Sequence, residues 1–376
     1  MPLDFTRERF GSPQAIALLL LALFLAQCAW FCARASLSDR EVAYIMQGQQ
    51  QWHRSGAALD QPSPVTGLVA AFPLLASHAT PEQVPAYWRW LARLPFMLMG
   101  ALFGASVWYV SRRLYGNTAG YIALVLYAFS PIAVIRASLV QNNVIAGWGA
   151  FGLIFTAIGL AHTLYAPREV VLWNWKRIVL LGVAIGLACA AQFAVVFLIP
   201  VALGFMWYLA PERRGAATVI MAAGTAIGGL ILFAVNGFSL NAVWMFVRAS
   251  RLTDFYPEAY GSVFAYLSLL RNLFRQPTSL LLLLIALGTY AGWKRARFFG
   301  TSAPLLVFVL LLMLGLAMPQ QSAQGFYVMA LPFSYVFIAG VMTDLLESKQ
   351  GPIMLGLILG VLLGHVVLSI SGLLRM

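Results

Sequence analysis

Charge is what this chain has least of. Only 10% of its 376 residues are Asp, Glu, Lys or Arg, whereas a water-soluble domain carries about a quarter. That deficit excludes an ordinary soluble enzyme. Cysteine is scarce as well. Cys28, Cys32 and Cys189 all lie inside apolar runs and supply neither a disulfide framework nor a zinc motif. No internal repeat is visible, which removes solenoids and propellers. There is also no dense Lys/Arg cluster interleaved with aromatics, so the formal net charge of +12 does not read as a nucleic-acid surface.

What the chain does have is long apolar runs. Hydrophobic residues make up 61% of it, and the mean hydropathy is +0.83. Runs fall at 13–33, 94–111, 118–135, 144–165, 178–191, 193–210, 216–236, 278–293, 302–318, 326–345 and 352–372. At roughly 20 residues per crossing, eleven spans use about 220 residues and leave about 156 for connections, too few for a separate aqueous catalytic domain. The expected fold is an all-α integral membrane bundle of about eleven transmembrane helices, one polytopic domain over residues 1–376. The first run exceeds the roughly 7–15 residues of a signal-peptide core and reads as a retained span. The fifth and sixth are short and nearly continuous, as in a bent pair. Gly356, Gly360 and Gly364 in the last run read as helix packing, and His365 beside them as a helix–helix hydrogen bond.

Alternation from a cytoplasmic N-terminus gathers Arg7, Arg9, Arg112, Arg113, Arg168, Lys176, Arg177, Arg213, Arg214, Lys294, Arg295, Arg297 and Lys349 on the inner side. All three lysines are among them, as the positive-inside rule requires. The two long connections, 35–92 and 237–277, then lie outside a multi-pass protein of the cell inner (cytoplasmic) membrane. Loops held by a rigid scaffold carry function, so the site is expected on the external face. The first long loop opens with Asp39-Arg40-Glu41 and continues as a helix-compatible stretch to Trp52. Val42, Ile45, Met46 and Trp52 share one side, which suits a helix in the interface plane. Gly48 interrupts it at a cost of about 1 kcal/mol relative to Ala.

Four segments in order carry a resemblance. Asp39-Arg40-Glu41 with Tyr44 follows the first span. Arg93-Leu94-Pro95 opens a span that closes on Arg112-Arg113-Leu114-Tyr115-Gly116. Ser130-Pro131 is followed by Arg136 and the polar turn Gln141-Asn142-Asn143, and Phe326-Tyr327 leads to Leu331-Pro332. Over roughly residues 14–345 the chain resembles the polyprenyl-phosphate-dependent glycosyltransferases of the GT-C fold, in the branch of the protein O-mannosyltransferases and the lipid A aminoarabinose transferase. The resemblance implies transfer of a sugar from a polyprenyl-phosphate-linked donor to a glycan, lipid or protein acceptor on the outer face. Such a reaction needs a carboxylate base for the acceptor hydroxyl and cations for the departing phosphate.

The same resemblance distributes the roles. Asp39 or Glu41 is the catalytic acid of the first loop. Independently of the resemblance, Arg93 and Arg136 are both external where the positive-inside bias does not call for them, so they are expected to hold the donor phosphate by bidentate contact. Tyr44, Asn142, Asn143 and Gln192 fall at substrate-binding positions. Asp60, in Asp60-Gln61-Pro62, matches a metal ligand, so the cofactor it implies is a divalent cation; His53 lies in the same loop. Some positions depart from the family. Arg40 stands where an aspartate precedes the acid, and Gln141-Asn142-Asn143 replaces a turn that usually holds an aspartate. Gln192 and Gln61 replace lysines, and residues 320–325 contain no basic residue. These departures keep open a second reading, a catalytically degenerate relative that binds lipid-linked sugar or a partner. A lipid or solute transporter is a third, without the paired halves such proteins show.

Overall fold

The computed structural model describes residues 12–53, 63–75, 87–165, 174–250, 252, 254–274, 277–293, 298–318, 323–347 and 351–375. Among them no strand occurs. In chain order the helices are α1 (Ser12–Arg34), α2 (Asp39–Trp52), α3 (Pro64–Ala71), α4 (Trp88–Tyr115), α5 (Asn117–Ala128), α6 (Pro131–Ala137), α7 (Asn142–Thr163) and α8 (Trp175–Ala191). They continue with α9 (Leu198–Leu209), α10 (Arg214–Val235), α11 (Leu240–Ala249), α12 (Val263–Phe274), α13 (Pro277–Gly292), α14 (Phe299–Ala317), α15 (Ala323–Leu346) and α16 (Gly351–Leu374). Helices satisfy their own backbone polar groups, which lipid cannot do for them.

Among the described residues, seven helical segments are long and apolar enough to cross a membrane, and an eighth is added if α5 and α6, bent by 65°, form one span. The chain is thus a polytopic all-α membrane protein, while length and composition do not reach the expected eleven spans. The reason is physical. With 17 residues, α8 rises about 25 Å at 1.5 Å per residue, less than the roughly 30 Å of a bilayer core. The segment Phe193–Leu209 and the 16-residue α13 fall short in the same way. The α5–α6 bend follows from Pro131, which cannot extend α5 and sits instead in the first turn of α6, where Ser130 Oγ accepts from Ala133 N at 3.4 Å.

Two compact units divide the chain. One comprises Met1–Arg34, Gly100–Ser138 and Tyr256–Met376. At its centre α15 is buried and packs against α14, α5 and α13. Tyr115, ending α4, donates to the Gly300 carbonyl at the start of α14, and at the other end of α14 Tyr256 N donates to Ala317 O at 2.8 Å. His365 pairs through Nδ1 with Thr278 Oγ1 at 2.6 Å, the helix–helix bond expected of it. The glycines of α16 show no close partner among the described residues: no described atom lies within 4 Å of the space a Cβ would fill on Gly356, Gly360 or Gly364.

The other unit comprises Ala35–Met99 and Leu139–Phe255. Close glycine packing is found here. A Cβ on Gly182 would stand 2.5 Å from Ile227 Cβ, and Gly186, Gly224 and Gly228 line the same α8–α10 seam. Short α2 and α3 dock through Gly48 and Gly67. A Cβ on Gly48 would lie 2.0 Å from the Gly67 carbonyl oxygen. The glycine that weakens α2 as an isolated helix is what lets it dock. Asn142 Nδ2 donates to Ala191 O at 3.1 Å, and Gln51 of α2 donates to Val235 O at the end of α10.

Candidate active site

The first loop is organised from Ser38. It caps α2 in a reciprocal box: Ser38 Oγ accepts from Glu41 N at 3.4 Å, and Glu41 Oε2 accepts from Ser38 N at 3.0 Å. The Ser-x-x-Glu spacing is plain in the sequence, and it turns the Glu41 carboxylate back towards the start of the helix.

There it meets Arg93. Nε donates to Glu41 Oε1 and Nη2 to Oε2, both at 2.8 Å, a two-pronged charge-assisted pair. Nη1 donates to Ala35 O and Nη2 also to Ser36 O, each at 2.8 Å. Val140 N donates to Glu41 Oε1 at 3.0 Å, and Ser38 Oγ lies 3.0 Å from Oε2. One carboxylate therefore ties together the chain entering α2, the first turns of α4 and the turn before α7. Side-chain exposure is 0% for Arg93 and 2% for Glu41. Burial pushes the Glu41 carboxyl up, but the bonds from Arg93, Ser38 and Val140, with the Arg93 charge, outweigh it and hold the group below the usual glutamate range. A carboxylate so engaged is a poor base. The guanidinium expected at the donor phosphate binds Glu41 and the carbonyls of Ala35 and Ser36.

The other expected residues are placed differently. Asp39 and Arg40 are exposed on the first turn of α2. Tyr44 is half-buried one turn further, its phenol pushed up by burial and eased back by the Arg40 charge. Asn143 is buried, with Nδ2 3.5 Å from Gln141 Oε1. Gln192 sits where the chain turns extended between α8 and the tight turn Phe193–Phe197. It is buried, and its Nε2 has no hydrogen-bond partner among the described residues. The structure thus brings Glu41 to Arg93, and Asn142 to the residue before Gln192. Arg136 is half-buried at the end of α6, in the other unit. Asp60 and Gln61 lie outside the described residues, as do Lys294, Arg295 and Arg297.

A divalent cation finds no fitting set of donors among the described residues. Among the described residues, no three His, Cys, Asp or Glu side chains converge. Glu41 is committed to Arg93, and the turn at 141–143 offers amides, which are weak ligands for such ions.

The described residues form an all-α polytopic bundle in which the acidic first loop is fixed onto α4 at Arg93. Residues 87–238 match the family model for dolichyl-phosphate-mannose-protein mannosyltransferase. Among solved structures, the chain is similar to the Archaeoglobus fulgidus oligosaccharyltransferase crystallised with Zn and sulfate. The TM-score is 0.61 at 14% identity, over 96% of this chain and 53% of that one. It is likewise similar to the archaeal oligosaccharyltransferase AglB from the same organism in complex with an inhibitory peptide and a dolichol-phosphate. Here the TM-score is 0.63 at 14% identity, over 96% and 56% of the two chains. ArnT from Cupriavidus metallidurans bound to undecaprenyl phosphate aligns with a TM-score of 0.35 and 11% identity, over 88% of this chain and 77% of that one. The chain spans about half the length of the oligosaccharyltransferases it matches. No curated protein matches it. The resemblance to GT-C glycosyltransferases therefore holds in the fold and in the sequence of the middle of the chain.

Proposed function

We infer that this chain is a membrane glycosyltransferase that moves a sugar from a polyprenyl-phosphate-linked donor to a glycan, lipid or protein acceptor on the external face of the cell inner membrane. The observation that carries this reading is the buried Glu41–Arg93 pair. It anchors α2 so that Asp39, two residues before the pinned acid, stands in solvent on a fixed turn. Asp39 takes the proton of the acceptor hydroxyl. The acceptor oxygen then bonds to the anomeric carbon as the bond from that carbon to the phosphate oxygen breaks, releasing polyprenyl phosphate. Arg40, exposed on the same turn, offers positive charge to the departing phosphate. Tyr44, Asn142, Asn143 and Gln192 serve as neutral hydrogen-bonding groups for the sugar. Glu41 and Arg93 act as positioning residues. A phosphate role for Arg136 rests on its place at an external membrane end, and a metal role for Asp60 on the resemblance.

Sidedness has its own support. Segments placed outside by the distribution of Lys and Arg touch one another: Ala35 with Arg93, Val140 with Glu41, Asn142 with Ala191, and Gln51 with Val235. Segments placed inside do likewise, as at Tyr115 and Gly300. In this arrangement α8 and the following Phe193–Leu209 segment run towards the outer face and back as a pair, with Gln192 at the outer tip.

One observation favours the catalytically degenerate alternative. The acid that keeps the family's spacing to Tyr44 is consumed by Arg93, and amides stand where the family has an aspartate and a lysine. Membranes carrying the chain, supplied with polyprenyl-phosphate sugars and assayed for release of polyprenyl phosphate, decide between them. Turnover that Asp39→Ala lowers by about a hundredfold or more supports the enzyme. A wild type that turns over none of the donors supports the binding scaffold.

A further inference from the structure

The geometry points to α11, Leu240–Ala249, as an interfacial helix whose outer face is embedded in the leaflet that meets the outer end of α10, with lipid and not another protein as its occupant. Position along the chain makes the first argument. The apolar segment Pro211–Val235 is long enough to cross the membrane, and only residues 236–239 separate it from α11, so α11 starts at the membrane boundary. Gly237 and Phe238 both adopt left-handed backbone, at φ +68° and +59°, which turns the chain sharply away from the span. Ser239 Oγ then caps the new helix by accepting from Ala242 N at 3.3 Å.

The two faces of α11 make the second argument. Phe246 is buried and packs edge-to-face on Phe193, ring centroids 5.9 Å apart. On the opposite side Leu240 and Trp244 are 78% and 64% exposed, one helical turn apart, and Phe238 is 67% exposed before them. Arg248 continues this stripe a turn further and is exposed. Aliphatic and aromatic groups with a tryptophan and a terminal arginine match the boundary between acyl chains and headgroups, where the indole finds both an apolar and a wet environment. Arginine also supplies the charge that anionic headgroups attract. A protein-docking face is not needed to explain the pattern, because continuity with a span already places it in lipid. The second helix of the same long segment, α12, repeats it, with Phe264 83% exposed. Since Phe193 follows Gln192, the buried side of α11 ties the α8 break to the level of the leaflet surface. The inference stands whether or not the chain transfers sugar.

The three native cysteines are buried, so single surface cysteines can be labelled selectively. The full-length chain carrying Trp244→Cys, Leu240→Cys or Arg248→Cys is labelled with an environment-sensitive fluorophore. It is then reconstituted into vesicles of phosphatidylethanolamine and phosphatidylglycerol. Quenching is compared for nitroxide-bearing lipids, with the nitroxide near the headgroup or at the chain end, and for aqueous iodide. At positions 240 and 244 the headgroup-proximal nitroxide should quench about twofold more than the chain-end one, with iodide ineffective. At position 248 iodide should quench well. Labels at 240 and 244 open to iodide and blind to both lipid quenchers would overturn the proposal in favour of a protein-docking face. Strongest quenching by the chain-end nitroxide would overturn it in favour of a deeply inserted segment. Two independent positions on the face guard against one variant failing to fold.

Discussion

At the scale of single residues, the central fact is that two acids separated by one residue have different surroundings. Glu41 is enclosed and hydrogen-bonded; Asp39 is in solvent. Removing one member of a buried ion pair leaves the other charge unpaired, which costs about 3–5 kcal/mol. Glu41→Gln and Arg93→Met should therefore each lower the thermal midpoint sharply in detergent, whereas Asp39→Asn should leave it in place. Acid provides a second check. The native Glu41 pKa is depressed, so the stability it contributes is complete above the ordinary glutamate range. It drains away as pH falls through the lower native value. Wild-type midpoints should fall over that window, and those of Glu41→Gln should change less. Part of this is legible in the sequence: Ser38-x-x-Glu41 is a capping-box spacing that marks Ser38 as the cap. The pairing with Arg93 was not legible, because 52 residues separate the partners and snorkelling or phosphate binding explains a membrane-end arginine equally well.

Among elements, glycine divides sharply between close packing and open space. Gly48→Ala would drive a methyl group into the Gly67 carbonyl, and overpacking of this kind costs roughly 1–3 kcal/mol. The variant should show a lower thermal midpoint and loss of the α2–α3 docking, read as easier proteolysis within the first loop. Gly364→Ala in α16 meets no described atom within 4 Å and should leave the midpoint unchanged or slightly raised. The four-residue glycine spacing in α16 reads as a packing motif, yet the close approaches among the described residues are elsewhere, as at Gly182, Gly186, Gly224 and Gly228. Spacing says that backbones can approach; it does not say which partner helix is there. Helix positions were otherwise well read, since an apolar run in lipid has little choice but to be helical. Where runs abut, as at 178–191 and 193–210, hydropathy cannot tell a crossing from a turn, and the span count suffers there.

For the molecule as a whole, fold and sidedness are separate questions. The helical bundle follows from the apolar runs; the resemblance to GT-C proteins, carried by Arg-Leu-Pro and its Arg-Arg-Leu-Tyr-Gly close, agrees with the family-model match over residues 87–238 and with the similar fold of the oligosaccharyltransferase. Orientation rests on charge counting and on which loops touch. Asp39→Cys should react with a membrane-impermeant maleimide in intact cells, and Arg113→Cys only after permeabilisation. Labelling of both from the same side would contradict the arrangement. Donor, acceptor and metal were not readable from pattern, because the positions that usually reveal them carry amides here.

The most direct test compares the purified chain, Asp39→Asn and Glu41→Gln in proteoliposomes, reading polyprenyl-phosphate release per folded molecule beside the thermal midpoint. The account predicts that Asp39→Asn keeps its fold and loses turnover. It also predicts that Glu41→Gln loses stability while its folded fraction still turns over donor. The reverse pattern, an active Asp39→Asn and a stable but inactive Glu41→Gln, would contradict it.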